Sequence, residues 1–432
     1  MGMSGKTGRR AVVVDGLRTP FVKAFTDFTK LDTIALGVAA TRGLLKKANL
    51  GRRDVESIVW GGVILPGTAP NVGREIALDL ELDPACEAMT VTRACASGLQ
   101  AVTLAAAAIE RGEADIVIAG GSDSTSNAEI KLPQKVVHAL APVALGKADP
   151  KAILGAVGKL APFTDILPTR PKIAERTTGE VMGEAAEKMA RRNEISRAAQ
   201  DAFAARSHHR AAAAMASGRF DEEVTPVESE GKWVHADGLV RADTSEEKLA
   251  KLRPVFAKDG TVTAGNASPL TDGAAAVLLM SEEKARALGY KPRAALTSWA
   301  YVGVDPADQL LMGPALAIPK VLDRAGRTLA EIDLVDLHEA FAAQVLCVLK
   351  MLGSAAFARE RLGKSAAVGE VDPARLNVHG GSIALGHPFG ATGARMVTTM
   401  ANELVRSDKR TALLGICAAG GLGAAALLER ID

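Results

Sequence analysis

The sequence predicts an α/β fold made of two related halves with an inserted middle region, and three observations carry that expectation. Short apolar runs of strand length alternate with helical patterns, as in a largely buried sheet. The order of reactive residue, helix and buried strand ending in Gly-Gly occurs twice, closing at Gly120-Gly121 and at Gly420-Gly421. Between the copies the alternation lapses over 127–178, where Pro133, Pro142, Pro150, Pro162, Pro168 and Pro171 interrupt the pattern. The 432 residues suffice for two or three domains. Their expected bounds are 1–126 with 256–292 for the first half, 127–255 for an inserted, substrate-facing region and 293–432 for the second half.

Taken in order, AVVVDGLRTPF is a strand running into a turn at Arg18-Thr19-Pro20, a helix covers 31–48, and SIVWGGVI is a buried strand. MTVTRA is a strand leading to a polar turn that carries Cys95, then a helix and the strand ADIVIAGG. A short amphipathic helix is expected over 153–161, and longer ones over 180–192 and 196–217, the last carrying His208 and His209 on a solvated face. The polar stretch 228–258 should cover the surface, and TVTAGNASPLTDGAAAVLLM rejoins the core as strand. In the second half ALTSWAYVGV and LVDLHEA read as strands, 314–325 and 338–352 as helices, and RTALLGICAAGG as the closing strand. A duplicated unit would bring Cys95, His387 and Cys417 to one seam.

Composition narrows the function. Lys+Arg 52 against Asp+Glu 50 leaves +2, no electrostatic footprint for nucleic acid or a membrane, and 3% aromatic residues offer no base-stacking platform. Cys86, Cys95, Cys347 and Cys417 lack CxxC spacing and point to free thiols in a reducing compartment. No targeting segment, apolar span or P-loop stands out, so a cytoplasmic protein is expected. GLGAAA at 421–426 resembles a dinucleotide turn, but the residues after it hold no helix, second strand and ribose-binding acid. No cluster has zinc-ligand spacing, so no metal is expected. A thiol at a helix start meets unpaired N–H groups and the positive end of the helix dipole, which predicts a lowered pKa and a nucleophilic Cys95. Gly98 and the alanines after it should let that helix pack closely on the sheet.

ACASG at 94–98, TAGNASPLTDGAA at 263–275, HEAFAAQ at 338–344, NVHGGSIALGHPFGATG at 377–393 and CAAGGLGAA at 417–425 closely resemble the thiolase family, in order and over nearly the whole chain. The resemblance implies layered αβαβα architecture with an inserted loop domain. His338 and Ala419, where short-chain biosynthetic thiolases usually have Asn and Gly, are similar to the β-oxidation thiolases that pair with a hydratase/dehydrogenase subunit. Those include the bacterial anaerobic-type enzyme and the β-subunit of the mitochondrial trifunctional protein.

Cleaving a 3-ketoacyl thioester needs a soft nucleophile, proton transfer to the departing carbanion, and donors for two developing oxyanions. Cys95 fits the nucleophile and His387 the base that activates it. The resemblance implies that Cys417 protonates the acetyl-CoA enolate. It also implies one oxyanion hole from the backbone N–H groups of Cys95 and Ala419, and another from His387 Nε2 with His338. Ser268 would hydrogen-bond the pantetheine amide, and Met182 would line the acyl pocket, where Val181 replaces the His of many thiolases. Lys131, Lys135, Arg170 and Lys172 either meet the CoA phosphates or form a solvated surface. The inserted region guides a long acyl chain or docks a partner or membrane.

The implied activity is acetyl-CoA C-acyltransferase, with coenzyme A as substrate and no cofactor. Implied partners are CoA thioesters, a second copy of the chain in a dimer or dimer of dimers, and an enoyl-CoA hydratase/3-hydroxyacyl-CoA dehydrogenase subunit. A biosynthetic acetoacetyl-CoA thiolase shares the chemistry. A decarboxylating ketosynthase would pair Cys with two His or His and Asn, and the second cysteine, Cys417, disfavours it. Cys86 and Cys347 read as inert core thiols, and His379 as structural.

Overall fold

The computed structural model describes residues 8–130, 132–146, 149–160 and 174–432. They divide into two compact units, 1–127 with 174–432, and 128–173. Lys131, Arg170, Lys172, Ala161, Pro162, Pro168 and Pro171 lie outside the described residues.

The first half of the larger unit runs β1 (Ala11–Arg18), β2 (Val22–Lys23), α1 (Thr33–Lys47), β3 (Ser57–Gly61), α2 (Val72–Asp79), β4 (Glu87–Val91), α3 (Ser97–Glu110) and β5 (Ile116–Ser124). Asp32 caps α1 by accepting from the Ala35 amide. In the smaller unit α4 (Gln134–Leu145) packs on α5 (Pro150–Leu160). Helix α4 was not expected, because Pro142 falls inside it. The ring removes one backbone donor, yet the helix continues for a further turn.

Back in the larger unit come α6 (Met182–Arg192), α7 (Arg197–Ala216), the hairpin β6 (Val227–Ser229) and β7 (Lys232–Val234), and α8 (Glu246–Ala250). Then follow β8 (Thr271–Ser281), α9 (Glu282–Ala287), β9 (Ala294–Gly303), α10 (Gly313–Ala325), β10 (Leu334–Leu337) and α11 (Ala342–Leu352). The chain closes with α12 (Ala355–Phe357), α13 (Ser382–Leu385), α14 (Phe389–Arg406), β11 (Thr411–Ala418) and β12 (Leu422–Arg430).

The strand order is β10-β11-β12-β9-β1-β8-β5-β3-β4, with β2 paired to β8. Read outward from its middle, this order repeats itself. β5 lies parallel to β3 and antiparallel to β8, and β11 lies parallel to β10 and antiparallel to β12. Among the described residues, strand pairing between the two halves is confined to Val12↔Ala295 and Val13↔Ala294 of β1 and β9.

Period-two burial assigns the layers. Val13, Val117, Ala119, Val277 and Leu279 share a core with α3, α14 and the inner face of β11 and β12, including Leu414, Ile416 and Ala426. Their neighbours Val12, Ile116, Ile118, Leu278 and Met280 face α1 and α2. On the other half Leu413, Cys417, Ala425 and Leu427 face α10, α11, α6 and α7. Helix–sheet–helix–sheet–helix is therefore the layer sequence, with α3 and α14 as the central pair.

Gly98 was expected to let α3 approach the sheet; it lets α3 approach α14 instead. A Cβ there would lie 2.3 Å from Gly390 O, and one on Gly393 would lie 2.3 Å from Leu99 N. The two central helices touch backbone to backbone.

Three further expectations change. Of 261–280, only 271 onward is strand; the segment before it is irregular and pairs by isolated bridges, Pro254↔Thr263, Ala267↔Phe341 and Leu270↔His387. Helix α11 starts at Ala342 rather than 338, because His338 continues the β10 edge through its amide to Gly415 O. The 228–258 stretch is not merely surface. Asp237 is buried and takes both Nη1 and Nη2 of the fully buried Arg18, at 2.6 and 2.8 Å. Burying that cation requires such a partner.

One buried acid ties the halves together. Asp123, at the end of β5, accepts from the amides of Val63, Ile64 and Gly390. Burial pushes its carboxyl up to about 6, against the pull of those amides. Asp123→Ala strands the three donors, each worth about 1–3 kcal/mol, so urea denaturation should show a loss of at least about 3 kcal/mol. An unchanged midpoint would remove Asp123 from that role.

Candidate active site

Cys95 sits in the turn between β4 and α3, one residue after Ala94, whose φ is +45°. That left-handed residue is held by Ser97, whose Oγ accepts from Arg93 N and donates to Ala94 O, each at 2.7 Å. The turn lifts the thiol off the strand while α3 begins at Ser97.

His387 follows Gly386, whose φ of +102° suits glycine, and precedes α14. Its amide donates to Thr271 Oγ1 at 2.9 Å and its Nδ1 meets Thr392 Oγ1 at 2.7 Å. His338 leaves the end of β10, and its Nδ1 meets Ser382 Oγ at 3.0 Å. The imidazole centroids are 4.1 Å apart. Both Nε2 atoms are buried and without a protein partner. Cys95 Sγ and one nitrogen from each ring all lie within 4.8 Å of one another.

Cys417 is fully buried on β11, two residues before Ala419. The amides of Ala419 and of Cys95 itself both point at Cys95 Sγ. Met182 opens α6 and packs against the core that contains Cys417. Ser268 is half-buried, anchored by its amide to Ala340 O at 2.9 Å, two residues from His338. The fold thus gathers Cys95, His387, His338, Cys417 and Ala419, with Met182 and Ser268 on the adjoining segments.

The electrostatics differ from the sequence expectation. Burial pushes the Cys95 thiol up to about 12, although the two amides oppose it. The amides come from the Cys95 and Ala419 backbone and not from the first turn of α3, so the helix dipole does not decide the matter. Burial, with the Arg395 guanidinium second, lowers His387 to about 3. Burial, His387 and Arg395 hold His338 well below the usual histidine range. The resting pair is therefore thiol and neutral imidazole. Alkylation of Cys95 by iodoacetamide should accelerate about tenfold per pH unit from pH 6 to 10, since only the thiolate reacts. A rate already on a plateau below pH 7 would indicate a preformed thiolate–imidazolium pair instead.

Burial, then the neighbouring Cys95 sulfur, holds Cys417 well above the usual thiol range. Cys86 and Cys347 are buried free thiols, raised to about 11 and about 12 by desolvation. His379 is structural, with Nε2 2.8 Å from Glu403 Oε2. His208 is fully buried against Arg241, not solvated, and burial lowers it to about 4.

Residue types alone did not single out Thr392, Ser382 or Arg395. The two hydroxyls fix the rings, and Arg395 is buried with Asp336, 3.4 Å from its Nη1, as its one carboxylate partner among the described residues. Glu339, accepting from Ser207, Asn377 and Ile383, locks the segment that carries His338. The polar residues of the glycine-rich 377–393 stretch were the available signal.

The family models for the thiolase N-terminal domain and C-terminal domain match residues 11–283 and 290–430. A 3-ketoacyl-CoA thiolase of Shewanella woodyi is 45% identical over 425 residues, 98% of this chain and 97% of that one. One of Vibrio cholerae is 44% identical over 430 residues, 98% of each. Human mitochondrial 3-ketoacyl-CoA thiolase superposes with a TM-score of 0.83 at 29% identity, over 98% of this chain and 99% of that one. A Bacillus anthracis acetyl-CoA acetyltransferase superposes at 0.82 with 31% identity and the same coverage. With both domains matched and a cysteine, two histidines and a second cysteine gathered at the seam of its halves, this chain belongs to the thiolase family.

Proposed function

We infer that the protein is a 3-ketoacyl-CoA thiolase, an acyltransferase that cleaves 3-ketoacyl-CoA with CoA to acetyl-CoA and a shortened acyl-CoA. The observation that carries the site assignment is the convergence of Cys95 Sγ, His338 and His387 within 4.8 Å beside two amides aimed at the sulfur.

In this reading Cys95 Sγ attacks the ketone carbon as its proton passes to His387 Nε2. The oxyanion takes hydrogen bonds from the Cys95 and Ala419 amides. Its collapse breaks the Cα–Cβ bond, leaving an acyl group on Cys95 and an acetyl-CoA enolate. Cys417 delivers a proton to the enolate carbon. Free CoA then attacks the acyl-enzyme thioester as its thiol proton passes to the Cys417 thiolate, and the Cys95–acyl bond breaks with Cys95 regaining its proton from His387 Nε2. His387 Nε2–H and His338 Nε2–H serve the enolate oxygen. A neutral His338 donates there when its Nδ1 accepts the Ser382 hydroxyl proton.

The two sulfurs divide the labour by environment. Cys95 is partly exposed and receives two amides, so its thiolate is the better stabilised. Cys417 is sealed off, with only its own amide favouring its thiolate, so it holds its proton until a carbanion needs it.

Ser268 contacts the pantetheine arm and Met182 the acyl chain; Met182 beside the Cys417 core supports a substrate-facing role for the 174–255 part of the middle region. The solved human relative was also determined in complex with CoA. In this reading coenzyme A is a substrate, and the chemistry uses the chain's own side chains and backbone amides. Among the described residues no single helix is long and apolar enough to cross a membrane. A cytoplasmic homo-oligomer, working in fatty-acid β-oxidation beside a hydratase/dehydrogenase subunit, is the setting that the His338 and Ala419 pattern favours. Mass spectrometry after incubation with a 3-ketoacyl-CoA tests the reading: the acyl adduct should map to Cys95, and an adduct found only elsewhere would overturn it.

A further inference from the structure

We propose that Cys95 Sγ and the Nε2 atoms of His338 and His387 also form a three-ligand site for a borderline divalent cation of the zinc class, which occupies and reversibly blocks the reaction centre. Nothing in the spacing of these residues suggests it; residues 95, 338 and 387 meet only through the fold.

Geometry favours the site on three counts. Cys95 Sγ and one nitrogen of each ring lie within 4.8 Å of one another, and the Nε2 atoms are the free ones. A tetrahedral ion with bonds of about 2.0–2.3 Å places its ligands about 3.3–3.7 Å apart, so closure takes side-chain shifts on the order of 1 Å. Both Nε2 atoms are buried and lack partners, so no hydrogen bond has to break. Each Nδ1 is already held by a hydroxyl, Ser382 Oγ for His338 and Thr392 Oγ1 for His387. An outer partner on the second ring nitrogen is what orients a metal-binding histidine.

The donor set is one sulfur and two nitrogens, which selects zinc, cadmium or cobalt(II) over magnesium or calcium. On binding, the Cys95 S–H bond breaks, its proton leaves to solvent and the sulfur lone pair forms the S–metal bond. No oxidant or reductant is needed. Three protein ligands leave a fourth position open to solvent or to an incoming thiol. The Arg395 guanidinium opposes a cation here, and the new thiolate charge offsets part of that repulsion.

The test uses the full-length protein stripped of metal and reads binding rather than turnover, so its outcome is separate from that of the thiolase reading. Cobalt(II) should bind one equivalent, giving the intense visible bands of a four-coordinate ion and a near-ultraviolet thiolate-to-cobalt band. Cys95→Ser should lose the thiolate band. His338→Ala and His387→Ala should each weaken binding by more than the roughly 10–100-fold cost of losing an outer partner. In the unmodified protein, zinc at ten times its Kd should slow alkylation of Cys95 about tenfold, with chelator restoring the rate. A pale six-coordinate spectrum, a thiolate band that survives in Cys95→Ser, or unchanged Cys95 alkylation in zinc would each overturn the proposal.

Discussion

Cys95→Ala is expected to lower kcat for thiolysis by a factor on the order of 10⁶, the scale of losing a covalent nucleophile that acts as a unit with its base. The variant should keep its melting temperature, because Cys95 is only partly buried and sits in a turn rather than in the sheet. It should also keep CoA affinity, since Ser268, the residue proposed to meet the pantetheine arm, lies on a different segment. Steady-state kinetics with a 3-ketoacyl-CoA, run beside calorimetric binding of CoA, separates these quantities. Turnover within about tenfold of wild type would mean that another group carries the acyl chain, and the mechanism would fall with it.

Cys417→Ala has a different signature. General acid–base groups contribute about 10²–10⁴, so thiolysis should fall by that factor while acylation of Cys95 by an acyl-CoA persists. Exchange of the acetyl-CoA α-protons with deuterated solvent should disappear, because the proposed mechanism gives that proton transfer to Cys417. Exchange at the wild-type rate would assign the proton transfer to His338 or His387. The sulfur is fully buried, so a modest loss of stability is also expected and should be measured alongside.

Much of this was legible before any coordinates. Buried strands such as 116–124 and 411–418 are apolar enough to be read directly, and the repeated helix-to-strand order announced the duplication. What escaped the sequence were effects of tertiary neighbours. The pKa of Cys95 depends on how far burial outweighs two amides, one of them contributed by Ala419, far along the chain. His208 follows a helical pattern that looks solvated, and only the packing of Arg241 over it reveals a core position. Asp237 lies in a charged stretch whose destination, the Arg18 guanidinium, is set by tertiary folding. Local patterns report the faces of elements; they do not report which distant chain segment comes to cover them.

The narrow join between β1 and β9, two residue pairs wide, has a consequence for how the catalyst is built. Cys95 belongs to the first copy, while His338, His387 and Cys417 belong to the second, so neither copy alone owns a working reaction centre. In the proposed mechanism the nucleophile therefore stands on one half and its acid–base partners on the other, so the chemistry depends on the two halves being held face to face.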